Sequence, residues 1–395
     1  MLNQSVLALG KKRSTIREIF EYGNLRAAQV GRENIFDFSL GNPNVPSPDA
    51  VREALLDIVT NQDPVAIHGY TSAQGAPQCR AAIADNLNAR FGTNYTAGQL
   101  YLTVGAAASV SICFKALTAS PEDEFIVFAP FFPEYKVFIE EGAGAKCVIV
   151  PAQVSDFQID FAAFEARLTP HTKGVVVNSP NNPCGVVYSD ETIARLAAVL
   201  AQKSEEYGHP IYLISDEPYR EIVYDGLAAP FVARAYPRTL VCYSYSKSLS
   251  LPGERIGYVL VPQVEEFDDL YAAVCGAGRV LGYVCAPSLF QQVTSLCCDM
   301  TADLSVYERN CKLLVPALRE MGYHVAEPGG AFYLFPRSLE PDDLAFSERA
   351  KQFDLLLVPG SGFGAPGHFR LAYCVQTEMI QRALPKFQAL ADSYR

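Results

Sequence analysis

Apolar residues recur along this chain with two different periods. Seven short runs, at 100–104, 124–128, 146–150, 174–178, 211–215, 240–244 and 257–261, are apolar and bounded by turn-forming residues, and each predicts a strand. Between them, at 107–118, 132–142 and 190–206, apolar positions return every three or four residues, which predicts helices packed on one face. Strands alternating with helices predict an α/β domain with a mostly parallel sheet. The uninterrupted Gly174-Val175-Val176-Val177 and Ile211-Tyr212-Leu213-Ile214 suit strands covered on both faces. Open sheets of this kind bind ligands beyond the carboxyl ends of their strands, so chemistry is expected from Asn178, Asp216 and Ser244 onward.

The pattern changes near residue 288. A long helical segment at 288–321 is followed by short strands and an amphipathic helix at 378–394, which predicts a second, smaller α+β domain over 288–395. The first 47 residues, a helical stretch and then the turn Gly41-Asn42-Pro43-Asn44-Val45-Pro46, are expected to pack with it. The large domain then spans 48–287. A length of 395 residues suits two such domains.

Composition narrows the partners. A formal charge of -11 disfavours nucleic acid or an anionic membrane as a partner, and leaves a small molecule. No run of apolar residues is long enough for a membrane span and no secretory pattern opens the chain, so a cytoplasmic protein is expected. The eleven cysteines are scattered and odd in number, which fits buried free thiols. Without paired CxxC or histidine spacing, no metal site is expected.

The densest chemistry is Tyr243-Ser244-Tyr245-Ser246-Lys247-Ser248, followed by Pro252-Gly253-Glu254-Arg255. A lysine among hydroxyls at a strand end is a poor choice for packing and a good one for a Schiff base beside a phosphate. Ser244 and Ser246 can donate to phosphate oxygens, Arg255 can grip the dianion, and the Lys247 amine can condense with an aldehyde. Other strand ends carry Asn178-Ser179-Pro180-Asn181-Asn182-Pro183-Cys184-Gly185, which alone reads as a tight turn, and Asp216-Glu217-Pro218-Tyr219, where Asp216 alone reads as a helix cap. Thr103-Val104-Gly105-Ala106-Ala107 joins a strand to a helix with residues small enough to let an anion approach the helix N-terminus.

In this spacing of SxSK and arginine the chain resembles fold type I enzymes dependent on pyridoxal 5′-phosphate (PLP), specifically the class I and II aminotransferases typified by aspartate aminotransferase, from about Asp37 to Tyr373. The resemblance implies a PLP-binding domain with a seven-stranded, mostly parallel sheet and a small domain built from both termini. It implies Lys247 as the Schiff-base lysine and catalytic base, Asp216 on the pyridine nitrogen, Tyr219 and Asn182 on the phenolic oxygen, and Phe132, with Phe131 as the alternative, stacked on the ring. Ala106 and Ala107 would bind phosphate through their backbones, and Ala107 aligns where aspartate-specific relatives carry a lysine. His68-Gly69-Tyr70 with Gln74-Gly75 matches a segment whose tyrosine reaches the partner's cofactor phosphate, which implies a homodimer with shared sites. Phe369-Arg370-Leu371 matches the arginine that clamps the substrate α-carboxylate, with Gly41 adding a backbone contact. Arg279 lies where some relatives send an arginine into the partner's site for a dicarboxylic substrate; on its own it reads as a helix-surface residue.

The implied reaction is ping-pong transfer of an amino group from an L-amino acid to a 2-oxo acid, 2-oxoglutarate being expected, through pyridoxamine phosphate. β-Elimination, decarboxylation and racemisation share the residues that hold the cofactor and form the competing class. An effector-sensing module of a transcription regulator would need a DNA-binding segment that this sequence lacks.

Overall fold

The computed structural model describes residues 2–11 and 15–395, and in it the seven apolar runs form one sheet. Strands β1 (Leu100–Thr103), β2 (Glu124–Phe128), β3 (Lys146–Val150), β4 (Thr172–Asn178), β5 (Tyr212–Asp216), β6 (Thr239–Ser244) and β7 (Gly257–Leu260) lie in the order β1-β7-β6-β5-β4-β2-β3. All neighbours are parallel except β7, which runs antiparallel to both β1 and β6. Register brings the polar strand ends together: Asn178 pairs with Asp216, and Gly257 lies between Ser244 and Thr103.

Both faces are covered, as the uninterrupted apolar strands require. On one, the helices Ala106–Leu117 and Phe267–Leu281 bury Val110, Phe114, Val274 and Ala277 against Val176, Ile214 and Val259. On the other, Asp49–Asn61 and Pro77–Phe91 pack Val51, Ile58, Ile83 and Leu87 on Leu100, Leu102 and Tyr258. The two ends of the chain meet in a separate cluster. Phe36–Asp37 pairs in parallel with Leu355–Leu356, and Phe38 and Val45 join the helices Ser305–Glu320 and Thr377–Asp392 around a three-stranded antiparallel sheet of Val358–Pro359, Phe369–Ala372 and Tyr333–Leu334.

Two helices depart from expectation. The segment at 288–321 is two helices, Ser288–Cys297 and Ser305–Glu320. Between them the Asp303 carboxylate accepts from the Ser305 N–H at 3.2 Å and from its hydroxyl at 2.5 Å, a local turn that competes with helix. The Ala302 N–H donates instead to the Ser248 carbonyl at 2.7 Å. The helix Ser288–Cys297 buries Val293 and Cys297 in the sheet-side cluster with Leu100 and Tyr258; on this packing we propose a domain boundary within 298–304 in place of 287/288. The helix expected at 132–142 is one α-turn, Glu134–Val137, continued as the π-helix Phe138–Ala143, because the Gly144 and Ala145 N–H groups both reach back to the Ile139 carbonyl.

Just past β5, Glu217 and Arg220 form a buried ion pair at 2.6 Å, with side chains only 2% and 4% exposed. Ser215 donates to the other Glu217 oxygen at 2.6 Å, and the guanidinium lies 4.5 Å from the Tyr243 ring centroid. Two charges withdrawn from water hold only while both are present. Arg220→Ala is therefore expected to lower stability by about 3–5 kcal/mol in urea denaturation, because Glu217 is left charged and unpaired; Glu217→Gln/Arg220→Leu should recover part of the loss. A single variant within about 1 kcal/mol of the parent would refute this account of the pair.

Candidate active site

Beyond the carboxyl ends of β4, β5 and β6 lies a cavity of about 300 Å³. Every residue given a role from the sequence lines it except Tyr70, Arg279 and Phe131, the alternative to Phe132. Tyr70 is 98% exposed, and Arg279 is exposed near the end of the helix Phe267–Leu281.

Lys247 begins one turn past β6, in the short helix Tyr245–Ser248, and its Nζ donates to the Gly41 carbonyl at 2.7 Å. Burial lowers its pKa to about 8; Cys374 acts in the opposite sense, and the nearby cations Arg255 and Arg370 add to the lowering. Gly41 can be nothing larger, since a Cβ there would collide with the Tyr333 hydroxyl. Tyr333 in turn shares a 3.0 Å hydrogen bond with the Tyr219 hydroxyl.

Asp216 ends β5 fully enclosed. Burial raises its carboxyl to about 7; the Tyr135 hydroxyl, donating to Oδ2 at 2.5 Å, works against this and the adjacent Glu217 adds to it. Its Oδ1 is buried without a partner among the described residues. Asn178 ties the neighbouring strand ends together: its Nδ2 donates to the Asp216 carbonyl at 2.8 Å and its Oδ1 accepts from the Asn182 N–H at 2.8 Å.

Arg370, on the strand Phe369–Ala372, is 3% exposed. It donates to Asn182 Oδ1 at 3.2 Å and to the Ser39 carbonyl, and its guanidinium carbon lies 4.9 Å from the Tyr333 ring centroid and 5.0 Å from that of Phe363. Its Nε has no partner, and burial lowers its pKa. No carboxylate among the described residues neutralises it.

Opposite, the helix Ala106–Leu117 points its N-terminus into the cavity behind Gly105, whose φ is 92°. A Cβ on Gly105 would lie 2.5 Å from Arg255 Nη2, so glycine lets the guanidinium approach the helix end. Arg255, itself at φ 52°, donates to the Ser246 hydroxyl at 3.3 Å and the Pro252 carbonyl at 2.9 Å. Ser244 and Phe132 complete the wall, and Phe132 packs edge-on to Tyr135 at 5.6 Å. The cavity thus holds a cationic, amide-rich end, a buried acid and a second cation.

The sequence reading missed Tyr135 and Tyr333, and marked Asn178 as a strand end where chemistry begins without giving it a role. Asn178 had a signal, being the polar residue that ends an apolar strand. Tyr333 sits in an apolar stretch and Tyr135 between Glu134 and Lys136 in a segment of helical period, and both are marked only by tertiary contact.

A family model for aminotransferase class I and II matches residues 33–387. This chain belongs to that family. Among solved structures it is similar to an aminotransferase from Eubacterium rectale, 57% identical, with a TM-score of 0.98 over 100% of this chain and 99% of that one. It is also similar to the aspartate aminotransferase from Thermus thermophilus crystallised with maleate, 27% identical, with a TM-score of 0.84 over 99% of each chain. A probable aspartate/prephenate aminotransferase from Thermus aquaticus is 28% identical over 375 residues, 93% of this chain and 95% of that one. The protein is accordingly a PLP-dependent aminotransferase with the fold expected of one.

The residues fit that cofactor. The unpartnered Asp216 Oδ1 matches a protonated pyridine nitrogen, and the Gly105 cradle, helix N-terminus and Arg255 match a phosphate.

In the cofactor-free protein the raised Asp216 carboxyl has a sign that can be tested. Between 3.8, its ordinary value, and about 7 the folded chain keeps a proton the unfolded chain has lost, so stability contributed by this group is full at the acid end and lost as pH rises through the window. Denaturation of cofactor-free Asp216→Asn across that range should show a flatter fall with pH than the parent; parallel curves would rule it out.

Proposed function

We propose that this aminotransferase moves the amino group of an L-amino acid to 2-oxoglutarate in two half-reactions, using the residues gathered around Lys247. The observation that carries this reading is Arg370, a buried guanidinium whose Nε has no partner and which meets no carboxylate among the described residues. A cation so placed costs several kcal/mol unless an anion meets it, and a planar fork suits a substrate α-carboxylate. Asn182 and the Gly41 backbone stand beside it to complete the clamp.

Bound PLP supplies an electron sink for negative charge developing at the substrate Cα. Asp216 Oδ1 would keep the ring nitrogen protonated, and Tyr219, backed by Tyr333, would donate to the phenolic oxygen. Ala106, Ala107, Ser244, Ser246 and Arg255 would hold the phosphate, and Phe132 would lie on the ring face. Lys247 would hold the cofactor covalently through Nζ, and once released would carry the proton away from Cα. Its pKa near 8 makes the neutral amine accessible close to neutral pH.

The same reading makes the protein a homodimer. Tyr70 and Val65 are 98% and 78% exposed, and Val280 and Val284 are 71% and 40% exposed, an apolar excess on two adjacent segments. Cys285 Sγ lies 3.4 Å from the Thr71 carbonyl and Ser288 Oγ 2.7 Å from that of Ile67, so these segments form one surface. Pairing through it would send Tyr70 to the partner's phosphate and Arg279 to the partner's substrate. The eleven unpaired thiols suit a reducing compartment such as the cytoplasm.

Glutamate added to the holoenzyme without an acceptor should release one equivalent of 2-oxoglutarate per site, no ammonia, and shift the cofactor's absorbance band; Lys247→Ala should abolish both. Sustained ammonia release would point to elimination instead. Arg279→Ala should lower kcat/KM for glutamate and aspartate about tenfold or more while sparing neutral amino acids. An equal effect on both substrate types would remove Arg279 from substrate recognition.

A further inference from the structure

A second, larger cavity of about 890 Å³ opens where the loop after β3 meets the segments 324–326, 335–341 and 366–368. It shares no lining residue with the site around Lys247. Arg337 lines it with no ion-pair or side-chain hydrogen-bond partner among the described residues. The acid of the lining, Glu340, is engaged by the Tyr394 hydroxyl and lies 3.7 Å from Arg349. Ser338 is 7% exposed, and its Oγ is buried with no partner, although its N–H is satisfied by the Gly367 carbonyl at 3.0 Å.

The rest of the wall mixes polar residues, Ser155, His324 and Glu340, with a cluster of rings. Phe335 stacks on His368 with an interplanar angle of 3°, and Phe157, held at φ 55°, meets both edge-on at 5.6 and 5.5 Å. Burial, with Arg337 nearby, lowers the proton affinity of His368, so the imidazole is neutral near pH 7 and Arg337 supplies the charge. An unmet buried hydroxyl costs about 1–3 kcal/mol, and a guanidinium without a counter-ion presents a two-pronged donor to a planar anion.

We infer that this cavity binds a small organic carboxylate with an apolar body, its carboxylate on Arg337 and the Ser338 hydroxyl and its body against Phe157 and Phe335. The seat lies at a seam. Phe157 comes from the β3 loop, while Arg337 and His368 bridge each other, His368 one residue before the strand that bears Arg370 and Arg337 three residues past the strand Tyr333–Leu334. Phe335 also meets Phe363 at 5.8 Å, and Phe363 faces Arg370. Two rings, Phe335 and Phe363, therefore stand between an occupant and Arg370.

Calorimetric titration of the holoenzyme with benzoate, and with benzyl alcohol as its uncharged counterpart, tests the assignment. Saturable binding of one benzoate per chain is expected, with none of the alcohol. Arg337→Ala and Ser338→Ala should each weaken benzoate about tenfold or more, and Arg370→Ala should leave it unchanged. Transamination by Arg337→Ala without benzoate should match the parent, which also shows that the variant is folded. Absent binding, binding that survives Arg337→Ala, or binding lost in Arg370→Ala would overturn the proposal, the last assigning benzoate to the substrate clamp.

Discussion

A buried guanidinium that no carboxylate among the described residues neutralises is the constraint around which this molecule is arranged. Removing Arg370 from water costs several kcal/mol, and the chain offsets only part of that with the Ser39 carbonyl, Asn182 Oδ1 and the faces of Tyr333 and Phe363. Each partner comes from a different part of the fold. Ser39 arrives because Phe36–Asp37 pairs with Leu355–Leu356 and the Ala372 N–H donates to the Phe38 carbonyl at 2.8 Å. Asn182 arrives because Asn178 fixes its turn to the end of β5. Joining the two chain termini and bridging them to the large sheet are thus requirements of a single side chain.

The end of β5 solves a second electrostatic problem, two consecutive acids out of water. Adjacent strand residues face opposite sides of a sheet. Asp216 turns toward Tyr135 and the cavity, where a raised pKa and an empty Oδ1 leave it able to meet a cationic ring. Glu217 turns the other way, to Ser215 and Arg220 among Phe91, Phe231 and Tyr243, where the pair is closed. Two identical functional groups acquire different roles because one is left incomplete.

This division explains what was legible in the sequence. Strand interiors were, since seven runs buried on both faces admit few alternatives, and all seven fall within two residues of the observed bounds. Lys247 and Arg255 were visible as a dense polar motif at a strand end, Asn182 and Arg370 only through the family resemblance, and the cavity gathers all four. Tyr135 and Tyr333 were not, because an aromatic in a segment of helical period or an apolar run announces packing, and only the third dimension shows its hydroxyl aimed at Asp216 or Tyr219. The break at 298–304 was hidden for a related reason: apolar spacing continues through it, and a turn at Asp303 with a hydrogen bond to Ser248 decides against helix. Tyr70 and Arg279 lie outside the cavity, both exposed on the surface of the chain.

The cations that define the cavity also set the state of its lysine. Burial is the chief cause of the lowered Lys247 pKa, and Arg255 and Arg370 add to it as uncompensated positive charge. An anion arriving at either arginine cancels part of that charge, and so raises the proton affinity of Lys247. By linkage the converse holds: protonated Lys247 strengthens the cavity's attraction for anions at both ends. In the cofactor-free chain the lysine is thus most readily neutral while neither arginine has met an anion, and more willing to accept a proton once one has. No moving part is needed for this coupling, because it follows from placing one amine near two guanidinium groups that have no ion-pair partner among the described residues.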